Sequence, residues 1–169
     1  MIKPQDIVVL IKLLLLQEKW TIAKVASSIH LSASETHSAL RRLEEAGLYD
    51  KNLRRPRLKA AEEFLIHGLK YLFPAKPGAN ARGIPTAHSA EPLKSKIVSD
   101  EIYVWPYALG SIRGIAIEPL YPSVPTAANE DPSLYEWLAL IDGLRIGRTR
   151  EKNLAENEIK ARIHKHAHK

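Results

Sequence analysis

The 169-residue chain contains no cysteine. Disulfides, thiolate zinc sites and cysteine nucleophiles are therefore excluded together. A membrane-spanning run is also lacking. The most apolar stretch, "DIVVLIKLLLLQ", is about half of the roughly 20 residues a spanning helix needs, and Lys12 interrupts it. It has the length of a signal-peptide centre, but Gln17, Glu18 and Lys19 follow at once, with no small-residue cleavage site beside it. A buried helix in a cytoplasmic protein, with no membrane partner, is the expectation. No internal repeat is present, and no low-complexity tract apart from the terminal "HKHAHK".

Catalytic and nucleotide-binding patterns are equally sparse. "PGANARGIPTAH" has two glycines but lacks the strand–glycine-loop–helix context that cradles phosphate. His88 and Ser89 are adjacent, with no third group to orient them as base and nucleophile. His164, His166 and His168 alternate at the chain end, where a disordered tail is expected rather than a metal site. The chain reads as non-catalytic, with no cofactor.

What is abundant is positive charge and helix-forming sequence. The 25 Lys and Arg against 19 Asp and Glu leave a net charge of +6, which favours a polyanionic partner. A hydrophobic content of 45% suffices for a real core. Three zones differ in composition. Residues 1–73 are rich in Leu, Ile and Ala, and have proline only at positions 4 and 56. Residues 74–130 hold eight prolines, which disfavour long helices by removing amide donors and clashing with the preceding turn. From Asp131 onward helical character returns.

In the first zone a helix is expected from Pro4 to about Lys19, apolar around nearly its whole circumference. Such a helix needs covering on more than one side, by a partner subunit or by the C-terminal helix of the same chain. Thr21 caps a short helix predicted over 22–29. In "HLSASETHSALRRLEEAGL", Ser32 and Glu35 form an S-x-x-E capping box, and Gly47 supplies a left-handed stop after Ala46. Thr36, Ala39, Leu40 and Leu43 recur at helical spacing and form a buried stripe. Downstream, "GLYDKNLRRPRLKAAEEFL" predicts a strand at Leu48–Tyr49, a cationic loop, a return strand near Arg57–Leu58 and a helix from Lys59 to Tyr71.

Ala26, Leu31-Ser32, Leu40, Leu43 and "LEEAGLY" together make residues 21–59 resemble the winged helix-turn-helix of bacterial transcription regulators, broadly of the MarR type. The resemblance covers about 4–73. It departs from that family in the short loop "DKNLRRP". It implies that the helix 33–46 enters the major groove of double-stranded DNA, with Ser34, His37, Ser38, Arg41 and Arg42 toward bases or phosphates. Lys51, Arg54, Arg55 and Arg57, in a run free of acids from Lys51 through Ala61, would clamp phosphate. Glu35 is better read as a cap, because an exposed carboxylate repels phosphate.

In the middle zone, strands are predicted over 102–105 and 112–117, separated by turn residues Pro106 and Gly110. Trp105, Tyr107, Arg113 and Tyr121 are candidates for a small-molecule pocket, with Arg113 holding an acid. The alternative is that these aromatics plug a small sheet against a helix. In the last zone Asp131 caps a helix with Pro132 at its first position, followed by Leu134, Trp137, Leu138, Ile141, Leu144 and Ile146. After Gly147 the apolar pattern thins to Leu154, Ile159 and Ile163 among charges.

The expected architecture is thus mainly α with a small β wing. It comprises a DNA-binding domain over 1–73, a Pro-rich α/β segment over 74–130 with a candidate hairpin, and a C-terminal helix over 131–169 for dimerisation or packing. The expected function is sequence-specific DNA binding by a homodimeric transcriptional regulator. The alternative is a protein-interaction module, such as a winged-helix adaptor or the antitoxin-like partner of a neighbouring protein.

Overall fold

The computed structural model describes residues 1–167 as a mixed α/β molecule, mainly helical with little sheet. Helix α1 (Pro4–Leu15) starts with proline at its first position, where a missing amide costs nothing, and Asp6 Oδ2 accepts from the Lys3 amide at 2.8 Å. It stops four residues short of the expected Lys19, because Gln17–Lys19 are exposed and have nothing to pack on.

Helix α2 (Ile22–Ser28) is capped by Thr21 Oγ1, which accepts from the Lys24 amide at 3.2 Å. His30 then adopts φ 56°, and the Leu31 amide reaches back to the Ala26 carbonyl at 3.0 Å. Helix α3 (Ala33–Glu45) opens on the predicted capping box, with the Glu35 amide donating to Ser32 Oγ at 3.0 Å. It ends in the same way as α2: Gly47 takes φ 80° and the Leu48 amide donates to the Leu43 carbonyl at 2.9 Å.

A two-stranded antiparallel ribbon follows, β1 (Tyr49–Asp50) and β2 (Arg55–Pro56), in the register Tyr49↔Pro56 and Asp50↔Arg55. Its return strand lies two residues before the predicted position. The helical stretch beyond it is α4 (Leu58–Glu63), a π turn (Phe64–Gly68) and α5 (Leu69–Leu72).

In the proline-rich zone three strands close on themselves. Strand β3 (Pro77–Pro85) pairs antiparallel with both β4 (Tyr103–Pro106) and β5 (Ile112–Ile117), while β4 and β5 pair in parallel. So tight a closure requires glycine: a Cβ on Gly83 would lie 1.8 Å from the Trp105 carbonyl oxygen. The middle zone is therefore a small closed sheet, not the isolated hairpin expected.

Helix α6 (Val124–Glu130) leads into α7 (Pro132–Ile146) and α8 (Thr149–Ala167). His164 and His166, expected in a disordered tail, belong to α8; His168 lies outside the described residues. No helix among the described residues is long and apolar enough to cross a membrane.

A single apolar cluster runs through all three zones, joining Leu10 and Leu43 to Trp105, Leu138 and Ile159. Within it α1 packs against α3 on one side and α7 on another, leaving Ile7 to Ile11 fully buried. The second layer that α1 requires thus comes from its own chain. A partner subunit is not needed to cover this helix, which removes the surface argument for a homodimer.

The α6–α7 junction carries a testable charge. Asp131 caps α7 through the Leu134 amide at 3.2 Å and pairs with Lys12 Nζ at 2.8 Å. Burial alone would raise its carboxyl, but the hydrogen bonds from Lys12 and Leu134 outweigh burial and hold it below the usual carboxylate range. In the unfolded chain the group binds a proton more readily than in the folded one. Its stabilising contribution is therefore complete above the ordinary carboxylate pKa of about 4 and is lost as pH falls through the lower folded value. Asp131→Asn should flatten the decline of stability below about pH 4 in urea titrations. An unchanged acid limb would refute this role.

Candidate nucleic-acid interface

Four of the 13 residues of α3 are buried, namely Thr36, Ala39, Leu40 and Leu43, as its spacing predicts. The opposite side presents Ser34, His37, Ser38 and Arg41. Ser34, His37 and Arg41 are exposed, Ser38 is half-buried, and Arg41 has no ion pair among the described residues. A rigid, capped helix thus displays two short hydroxyls, an imidazole and a long cation along one stripe. These groups offer donors and acceptors at the spacing of one helical turn.

Arg42 is not on that stripe. Its Nε donates to Asp6 Oδ2 at 2.8 Å and a terminal nitrogen donates to Asp6 Oδ1 at 2.7 Å. Asp6 is completely buried, and the hydrogen bond to it lifts the guanidinium above its ordinary value. The expected phosphate contact at Arg42 is corrected accordingly: this side chain ties α3 to α1. The signal in sequence was an acid at the third position of a largely apolar helix, a group that needs a cation once it is buried.

The ribbon divides its cations into two kinds. The Asp50 carboxylate accepts from the Leu53 amide at 3.0 Å, which tightens the loop, and Arg54 takes φ 51°. The Arg54 guanidinium lies 4.3 Å from the centre of the Trp20 ring and donates to the Trp20 carbonyl at 3.1 Å. Arg57 pairs with Asp50 at 3.4 Å. Lys51 and Arg55 are exposed and have no ion pair among the described residues. Trp20, which the sequence did not single out, therefore fixes one arginine of the loop, while Lys51 and Arg55 stay available.

The amino-terminal corner of α3 is bordered by the middle zone. The Tyr121 hydroxyl lies 3.4 Å from Glu35 Oε1, and His30 Nε2 lies 2.7 Å from Glu130 Oε2. Burial raises the Tyr121 phenol, and the Glu35 carboxylate raises it further. These contacts place a phenol and an acid beside the α2–α3 link.

The four candidates for a small-molecule pocket are not brought together. Trp105 is 1% exposed and donates from Nε1 to Asp142 Oδ2 at 2.6 Å, so it plugs the core. Tyr121 faces Glu35, Arg113 is exposed on β5, and Tyr107 sits in the turn after β4. A recess of about 680 Å³ opens elsewhere, between the ribbon, the end of α1 and the end of α8, with Arg54, Arg55 and Arg57 in its wall. His88 and Ser89 are likewise structural. His88 Nε2 lies 2.8 Å from the Glu101 carbonyl, and Ser89 Oγ accepts from the Tyr103 amide at 2.8 Å.

No family model matches the chain, and comparison with curated proteins and with solved structures yields no match either.

Proposed function

We propose that the protein is a cytoplasmic, sequence-specific double-stranded DNA-binding protein that acts as a transcriptional regulator, with α1–α3 and the β1–β2 ribbon as a winged helix-turn-helix. The observation that carries this reading is the outward stripe Ser34–His37–Ser38–Arg41 on a doubly capped helix, followed within a few residues by Lys51 and Arg55, exposed cations with no ion pair among the described residues. Arg41 and His37 would reach base edges in the major groove, where Arg is suited to the O6/N7 edge of guanine. The ribbon strands have two residues each, so the loop is too short for a deep minor-groove probe and serves phosphate instead.

Affinity for duplex DNA should fall with salt, by a slope of roughly −0.9 in log affinity against log salt for each phosphate engaged. Replacing both Lys51 and Arg55 by Ala should weaken specific and random duplexes alike and make that slope shallower. Arg41→Ala should instead reduce discrimination, by about 1–3 kcal/mol for a lost base-edge contact. Equal losses on specific and random duplexes would remove Arg41 from base reading.

A protein-interaction role is the second reading, favoured by Tyr121 and Glu130 beside the α2–α3 corner, where an acid repels a phosphate. Glu130→Gln separates the two. It should strengthen duplex binding if the corner meets DNA, and leave it unchanged if the corner meets protein.

A further inference from the structure

We propose that Arg82 and Arg113, which face each other across β3 and β5, form an anion site for a phosphate group. The pair is in direct register, so both side chains leave the same face of the closed sheet. The Arg82 carbonyl accepts from the Tyr107 amide at 3.0 Å, so the Arg82 peptide groups face the turn after β4 rather than β5. That makes Arg82–Arg113 a non-hydrogen-bonded pair, the kind in which Cα atoms stand about 4.5 Å apart and side chains approach most closely.

Two like charges in this position destabilise a sheet. Both arginines are exposed and neither has an ion pair among the described residues to offset the repulsion. The strands that carry them are fixed: Gly83 packs without a Cβ against the β4 backbone, and a Cβ on Gly110 would sit 2.3 Å from the Gly83 carbonyl oxygen. Asn80, two residues along the same face of β3, adds an amide donor. A pair of forked donors on a fixed backbone, with no counter-charge among the described residues, suits a compact tetrahedral oxyanion, whose several oxygens can take both guanidinia at once. A single carboxylate is satisfied by one.

This site is separate from α3 and does not rest on the DNA reading. The test is a titration of the full chain with inorganic pyrophosphate at about 0.15 M NaCl, where diffuse attraction is screened within roughly 8 Å. The arginine Nε–Hε signals of Arg82 and Arg113 should shift together and saturate. Arg82→Gln and Arg113→Gln should each weaken binding by roughly ten-fold. Both variants should also melt about 2 °C higher than the parent, because the repulsion is gone. A second titration with duplex DNA separates the sources. Shifts of the same two signals identify a nucleic-acid backbone, and pyrophosphate shifts without them identify a free phosphate compound. Unmoved signals with pyrophosphate, full binding by either Gln variant, lower melting of both, or tighter binding of polyglutamate at this pair would overturn the proposal.

Discussion

Asp142→Ala is expected to destabilise the protein by about 3–5 kcal/mol, the usual consequence of removing one partner from a buried ion pair. Asp142 is 1% exposed and receives three donors: Thr86 Oγ1 at 2.7 Å, Trp105 Nε1 at 2.6 Å and an Arg145 guanidinium nitrogen at 2.8 Å. Arg145 also donates through Nε to the Phe73 carbonyl at 2.8 Å. One carboxylate therefore joins α7 to the link after β3, to β4 and, through its arginine, to the end of α5. Burial pushes the Asp142 carboxyl up from the usual range, against the pull of Arg145, Thr86 and Trp105. The group therefore fixes how the middle zone sits on α7 more than it adds net stability. Removing it takes the carboxylate from Arg145 and leaves an indole N–H and a hydroxyl without their acceptor in an apolar core. Urea denaturation followed by circular dichroism measures the loss, and a change below about 1 kcal/mol would contradict this role.

Arg42→Ala should cost a similar amount, about 3–5 kcal/mol, although its neighbour Arg41→Ala should change stability by less than about 0.5 kcal/mol. The contrast follows from one helical step of about 100°, which turns Arg42 toward the completely buried Asp6 and leaves Arg41 in solvent. Removing Arg42 takes away the guanidinium that the buried Asp6 carboxyl faces and leaves the Lys3 amide as its remaining partner among the described residues. Replacing both members together, Asp6→Leu with Arg42→Leu, should recover most of the loss, because no uncompensated charge remains. If Arg42→Ala unfolds at the same urea concentration as the parent but binds DNA poorly, Arg42 belongs to the interface after all.

Much of α1–α3, the ribbon and the start of α7 was legible in the sequence, because their signals are local. The Ser32–Glu35 box, the Gly47 stop and the Asp131-Pro132 start each act within four residues. Strand β3 was not legible. "PGANARGIP" has two prolines, two glycines and no apolar alternation, and Gly83 is explained only by the closure of the sheet on Trp105. Helix α6 was hidden in the same way, behind Pro122 and Pro125.

The outward stripe of α3 followed from helical spacing alone. The fate of individual cations did not, since their partners are remote in sequence: Arg42 meets Asp6 across 36 positions and Arg54 meets Trp20 across 34. The choice between pocket and plug at Trp105 was not legible for the same reason, its acceptor Asp142 lying 37 positions on. The covering of α1 by α7, from opposite ends of the chain, is the longest-range fact of all, and it changes the assembly argument.

Selection of bound fragments from a random duplex library tests the central claim most directly. The full-length protein should enrich one short motif over successive rounds, and Arg41→Ala should relax that motif at a discrete position while Lys51→Ala with Arg55→Ala leaves it unchanged. Retention of duplexes without any enriched sequence, or no retention at low salt, would contradict sequence-specific DNA binding by α3.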